Sequence, residues 1–327
     1  MDFRTTIKPL QYKGLINHVN TIVLMGSCFT DNIGLRLKYS LFNVDINPSG
    51  ILYNPASISN AITNILTKRQ YSADDIFLSQ SDNQYHSYDY HSDFSGKSIP
   101  ETLAKINTRQ SNAYNNLSTA STLIITFGSA YIYALKSTGQ VVANCHKQPT
   151  SLFNRRKLSV DEIVGMWDKT ISEILNINPT INIIFTVSPI RHIADGLHEN
   201  QLSKSTLLLS IEQLCINHSN VIYFPSYEIM LDDLRDYRFY ASDMLHPSPI
   251  AIDYIYNLFS ESFFNEDTIK LSSECESLIK RLQHRHRTQD KSIIETFNTK
   301  TQEIIDKLIS EHPYLSNSID LIIQHEI

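Results

Sequence analysis

Short β-branched runs alternate with longer stretches of helical period along most of this 327-residue chain, and that alternation admits few architectures. Strands separated by helices pair in parallel through crossovers, and the helices then cover the sheet on both faces. Five runs read as strands, at 19–25, 42–46, 123–127, 181–187 and 221–224. Helical stretches are expected at 30–39, 55–67, 99–117, 160–175, 199–217 and 249–264. Several carry start signals: Asn54 stands before Pro55, and Ser159 stands three residues before Glu162, the capping-box spacing. The expected fold class is α/β, with a mostly parallel five-stranded sheet flanked by helices.

Two segments interrupt the alternation. Residues 71–96 are polar and aromatic with few helix signals, and 131–149 reads as a hairpin turning at Ser137-Thr138-Gly139-Gln140. Both are long enough to cover a site. Past residue 264 the strands stop, and 267–287 and 291–311 read as two consecutive helices. The expected division is therefore 1–265 for the α/β domain and 266–327 for a C-terminal helical extension.

With 42% hydrophobic and 19% charged residues the chain has the means to bury a core. A net charge of −6 sets it against nucleic acid or anionic membrane as a main partner. One basic cluster, 281–287, runs against that trend and reads as a solvated helix face. Cys28, Cys145, Cys215 and Cys275 are too scattered for a disulfide framework or a zinc site. They fit a reduced setting, and no apolar run approaches the length of a membrane span, so a cytoplasmic location is the expectation. No cofactor is expected.

The chemistry concentrates at two points. Ser27, in Met25-Gly26-Ser27-Cys28-Phe29, directly follows the first strand and precedes a helix. A serine at such a turn sits at the sheet's edge beside the positive end of the helix, where an anion is stabilised. Serine is a weak nucleophile unless a base is adjacent. Far downstream, Asp243-Met244-Leu245-His246 supplies a carboxylate and an imidazole spaced so that one orients the other, with Pro247 and Pro249 stiffening the backbone. Cys145-His146 offers a rival thiol–imidazole pair, but adjacent residues of an extended segment point to opposite faces. The same objection applies to Cys28 beside Ser27. In the 85–93 tract, Asp89, His91 and Asp93 share a face if the segment is extended. Pocket lining and a plain structural role are both favoured there over a metal site, and no metal is expected. Arg191 and His192 follow the fourth strand at its carboxyl end, where open α/β sheets place ligands.

Gly26-Ser27-Cys28-Phe29, Ile51-Leu52-Tyr53-Asn54-Pro55, His91-Ser92, Phe127-Gly128-Ser129-Ala130 and Asn144-Cys145-His146-Lys147 together resemble the GSCFA domain family, grouped with the SGNH (GDSL-like) hydrolases. The resemblance spans most of residues 3–265 and implies a flavodoxin-like sheet carrying a Ser-His-Asp triad. Ser27 matches the first-block serine, and Asp243 and His246 match the last block. The oxyanion donors it implies are the Ser27 N–H, Gly50 after the second strand, and Asn144. The Gly-x-Asn expected after the third strand is replaced by Gly128-Ser129-Ala130. His91, Ser129, His146, Arg191 and His192 are the expected substrate contacts.

These readings lead to a serine esterase or acyl hydrolase acting on an ester of a carbohydrate or other small alcohol. The alternatives are an acyltransferase using the same triad, and a carbohydrate- or partner-binding module with little catalysis. The C-terminal helices are expected to serve either as the surface of a homo-oligomer or as a lid.

Overall fold

The apolar runs become strands because both of their faces are covered. The computed structural model describes residues 4–284 and 290–326. Its main sheet contains β1 (Ile22–Gly26), β2 (Val44–Ile46), β3 (Thr122–Phe127), β4 (Asn182–Val187) and β5 (Val221–Phe224). All neighbours pair in parallel, in the order β2-β1-β3-β4-β5. This is the doubly wound, flavodoxin-like order, whose direction of winding reverses between β1 and β3.

Along β1, Val23 and Met25 point to one core and Ile22 and Leu24 to the other. The first core is closed by α2 (Pro55–Leu66), α3 (Ile99–Thr119), α4 (Val160–Ile177) and α5 (Leu197–Asn217). The second is closed by α1 (Cys28–Tyr39) and α6 (Pro249–Phe263). Trp167 of α4, fully buried, packs edge-on against Phe127 and Phe185, which ties α4 to two central strands. The expected caps form: Asn54 accepts from the Ser57 N–H at 2.8 Å, and Ser159 and Glu162 complete a capping box. The first strand starts later than its apolar run, because Asn17 accepts the Val19 N–H in a turn that leaves Val19 exposed.

Both interrupting segments are β-structured. Phe77–Ser79 pairs antiparallel with Gln84–His86, and the chain leaves the strand at His86. Tyr131–Leu135 pairs with Val141–Val142 around Gly139, as expected of a hairpin. A third strand, Phe153–Lys157, adds to its other side. Sequence reading left that strand unassigned because only Phe153 in it is buried, so no apolar alternation marks it.

The C-terminal helices are α7 (Glu266–Leu282), α8 (Lys291–Glu311) and a short α9 (Ser316–Glu326), which sequence reading did not assign. They form one hydrophobic cluster around Leu41, so the extension is seated on the turn that ends α1. Of the basic cluster, Arg281 turns inward onto the Phe297 ring at 4.2 Å and the Thr301 hydroxyl, while residues 285–287 lie outside the described residues. No helix among the described residues is long and apolar enough to cross a membrane.

The strands β1, β3 and β4 end level, with Gly26 opposite Thr126 and Thr126 opposite Thr186. Gly26 makes this possible. Its φ is +150°, and a Cβ there would lie 2.3 Å from the Thr126 carbonyl oxygen. Gly26→Ala should therefore lower stability by roughly 2 kcal/mol or more, through backbone strain and overpacking together. Urea denaturation of the variant against the parent chain checks this.

Candidate active site

A cleft of about 640 Å³ opens at the carboxyl edge of the sheet, and chain segments following all four of β1 to β4 contribute to it. Ser27 comes from the first, Tyr53 and Asn54 from the second, Ser129 from the third, and Ser188 with Arg191 and His192 from the fourth. Leu245 and His246 enter from the loop ahead of α6.

The turn that carries Ser27 is fixed from below. The Gly26 N–H donates to Asn47 Oδ1 at 2.8 Å, Asn47 Nδ2 donates to Asp31 Oδ1 at 2.5 Å, and the Gly26 carbonyl accepts from Leu52 N–H at 2.9 Å. Ser27 then caps α1, its Oγ accepting from the Phe29 N–H at 3.3 Å. The hydroxyl sits at the N-terminal end of a 12-residue helix, where the backbone dipoles favour developing negative charge. With 1% of Ser27 exposed, this is the floor of the cleft.

The imidazole is presented by a tight loop. Met244 takes φ +60°, which folds Asp243 back so that its Oδ1 accepts from the Leu245 and His246 N–H groups at 2.9 and 3.0 Å. Its Oδ2 meets His246 Nδ1 at 2.5 Å. These bonds, the backbone ones foremost, push the Asp243 carboxyl down to about 2, so it is ionised at neutral pH. With Nδ1 engaged, Nε2 is the imidazole nitrogen left for other partners. Arg191 docks the loop: its guanidinium donates to the Met244 carbonyl at 2.5 Å and lies 4.6 Å over the Tyr240 ring.

Ser27 and His246 thus line one cleft, although no hydrogen bond joins them among the described residues. Ser129, Asn144, Arg191 and His192 line it as well. Asn144 accepts from the His146 N–H through Oδ1 at 2.8 Å, and its Nδ2 has no protein partner among the described residues.

Three sequence candidates belong elsewhere. Gly50 does not line the cleft; its N–H is spent on the Asn47 carbonyl at 2.8 Å, so the oxyanion role expected of it has no donor. Its φ of +77° and lack of a side chain instead admit His91, whose Cβ would lie 2.2 Å from a Cβ at Gly50. His91 is consequently packed outside the cleft, paired with Asp93 at 3.0 Å. His146 is buried, with Nε2 on the Ser87 carbonyl at 2.8 Å and Nδ1 on the Ser92 hydroxyl at 3.1 Å. It is therefore a core residue and does not line the cleft. Asp89 faces Arg69 and Tyr71, and no group of three or more metal-ligating side chains occurs among the described residues.

Burial pushes the Cys28 and Cys145 thiols up, away from the thiolate, and the His146 ring beside Cys145 is turned to Ser87 and Ser92.

Sequence reasoning missed the far wall of the cleft. Tyr131 and Tyr133 share one face of the first hairpin strand, as their i, i+2 spacing would have shown. Arg155, from the unassigned strand, lies 3.9 Å over Tyr131 and pairs with Asp195 at 2.5 Å. It also missed Tyr53, whose carbonyl accepts from both Gly128 and Ser129 N–H groups at 2.8 and 2.9 Å.

A model of the GSCFA family matches residues 21–259. That span starts at β1, contains Ser27, Asp243 and His246, and ends within α6. No curated protein matches the chain. Among solved structures it is similar to a Clostridium thermocellum family 3 carbohydrate esterase, at 11% identity, TM-score 0.36, covering 78% of this chain and 97% of that one. It is also similar to a Talaromyces cellulolyticus family 3 carbohydrate esterase, at 10% identity, TM-score 0.37, covering 78% and 99%. A family 2 carbohydrate esterase with a carbohydrate-binding domain, from Corynascus thermopiles (Myceliophthora fergusii), is matched at 9% identity, TM-score 0.39, covering 79% and 67%.

Burial pushes His18, His146 and the cleft residue His192 from the ordinary value of 6.5 down to about 4. A histidine with a folded pKa below its unfolded one holds fewer protons when folded. Its contribution is complete above about 6.5 and is lost as pH falls toward 4. Half-buried Asp31, Asp89 and Glu228, whose carboxyls partial desolvation shifts up, work in the opposite direction. The difference between variants isolates the histidine. His146→Gln should lose on the order of 3 kcal/mol less than the parent chain between pH 7 and pH 4, read from urea unfolding at each pH.

Proposed function

The chain belongs to the GSCFA family, and on that premise we propose that it is a serine esterase acting on an ester of a carbohydrate or other small alcohol. One observation carries the reading: the Ser27 hydroxyl and an Asp243-held His246 line the same cleft. In this scheme Ser27 Oγ attacks the acyl carbon while His246 Nε2 takes its proton. The imidazolium then protonates the leaving alkoxide, and Asp243, kept ionised, stabilises it. Water attacks the acyl-enzyme by the same route in reverse order.

The oxyanion needs donors at the cleft floor. The helix end at Ser27 and the unpartnered Asn144 Nδ2 are the groups we assign to it. The spent N–H of Gly50 removes it from that role. Raised thiol pKa values at Cys28 and Cys145 favour the serine over either cysteine.

Two features support the finer reading. Tyr53, Tyr131 and Tyr133 line the cleft together with the Arg155–Asp195 pair, a mixture of flat apolar faces and polar groups suited to a ring bearing hydroxyls. The His246 side chain is 49% exposed, so water reaches the base. That favours hydrolysis over transfer to a second alcohol, which requires water to be kept out.

Ser27→Ala should abolish labelling by a fluorophosphonate and lower the hydrolysis of a short-chain aryl ester by about 10³-fold or more. Asp243→Asn should retain labelling at a rate reduced by roughly 10²- to 10⁴-fold, because the imidazole loses its fixed tautomer. Unchanged ester turnover in Ser27→Ala rules the mechanism out.

A further inference from the structure

Helix α5 meets the sheet with polar side chains where an apolar stripe is expected. Asn200, Ser203 and Lys204 are all buried, in line with Leu207, Ile211 and Leu214 of the same helix. All three bind the backbone of the two cleft segments that follow β3 and β4, and Lys204 binds both. Asn200 Oδ1 accepts from the His192 N–H at 2.9 Å, and Ser203 Oγ accepts from the Ala130 N–H at 2.8 Å. Lys204 Nζ donates to the Gly128 and Ser188 carbonyls, both at 2.7 Å.

Lys204 is the costly member of this set. It is 0% exposed, and a buried ammonium is tolerated only when it is well hydrogen-bonded. Its acceptors are the first residues past β3 and β4. From Ser188 the chain runs to Arg191, which docks on the Met244 carbonyl in the loop that presents Asp243 and His246. On the other side, Gly128 is seated against the nucleophile: a Cβ there would lie 3.5 Å from Ser27 Cβ and 3.0 Å from the Tyr53 carbonyl oxygen. One side chain therefore joins the strand end beside Ser27 to the strand end that anchors the imidazole loop.

We propose that Lys204 is a positioning residue for the Ser27–His246 pair, clamping the ends of β3 and β4 so that nucleophile and base keep their separation. This rests on the reading of those two residues as nucleophile and base. Nothing in the proposal requires Lys204 to touch substrate. Its effect reaches the reacting atoms through Gly128 on one side, and through Ser188 and Arg191 on the other.

The test compares the full chain with Lys204→Met, which keeps the volume and removes both donors, and with Arg191→Met, which breaks the link to the Met244 carbonyl. Near-UV circular dichroism establishes that each is folded, and fluorophosphonate labelling of Ser27 and aryl-ester kinetics are then measured. Because a displacement of about 1 Å costs on the order of 10²-fold, both variants should label and turn over roughly 10- to 100-fold more slowly, and Lys204→Met, whose side chain lies outside the cleft lining, should keep KM within about twofold of the parent. A merely structural lysine would lower the unfolding midpoint and leave kcat alone. Folded Lys204→Met labelling at the parental rate overturns the proposal. If Lys204→Met does not fold, Arg191→Met decides, and a parental rate there overturns it too. A parent chain that resists the probe overturns the reading of Ser27 itself, and the lysine's role falls with it.

Discussion

The last residue of β1 lies against β3 so closely that no side chain fits between them, since a Cβ on Gly26 would meet the Thr126 carbonyl oxygen at 2.3 Å. On the other flank the Gly26 N–H is held by Asn47, which comes from the turn after β2. These contacts place Ser27 at the point where the winding of the sheet reverses. A parallel sheet brings all its carboxyl ends to one edge, and the reversal sends the following chains apart, leaving a crevice between them. The same geometry collects Tyr53, Ser129 and Ser188 around Ser27. The cleft is therefore a property of the sheet order, and the hairpin, the β4–α5 loop and the imidazole loop supply its walls.

The two halves of the proposed catalytic pair are held in different ways. Ser27 is locked by burial, a glycine turn and a helix cap. His246 stands on an exposed loop held by local hydrogen bonds to Asp243 and by one guanidinium from a neighbouring segment. The rigid partner is the one that must avoid random rotamers, because a serine hydroxyl has little reach. The imidazole is larger and is oriented by its carboxylate, so a few well-directed bonds are enough to hold it. This division leaves Arg191 as a side-chain link between that loop and the segment that follows β4.

Much of this was legible in the sequence, for local reasons. Strands buried on both faces leave continuous apolar runs, so β1, β3, β4 and β5 could be read directly, as could helices whose caps are spelled out at Asn54 and Ser159. The local settings of Ser27, Asp243 and His246 were legible because a strand-to-helix turn and an Asp-x-x-His loop each carry their geometry within a few residues. What failed depended on contacts between distant segments. Gly50 has the right residue type in the right place, but the turn from Asn47 consumes its N–H and His91 fills the space beside it. His146 sits next to a cleft residue, yet its positive φ of +48° accompanies a ring buried among His86, Phe77 and Tyr88. The strand with Arg155 pairs along one edge of an exposed hairpin, so its sequence is as polar as a loop.

Helix α5 shows how a fold rule is broken where a site needs it. An apolar residue at 204 would fill the same volume and spare the desolvation of an ammonium, and replacing buried charges in this way is often neutral or stabilising. The chain instead places a lysine under two carbonyls, while the adjacent serine and an asparagine one turn earlier accept from neighbouring N–H groups. Strand ends past the last ladder bond have no sheet partner, and loops leaving them are free to splay. Side chains from a rigid helix supply the missing partners in directions no apolar residue offers, which fixes where each cleft wall begins. The signal was present in the sequence as polar residues at i, i+3 and i+4 on the stripe that continues into Leu207, Ile211 and Leu214. Reading it required knowing which face of α5 the sheet would cover.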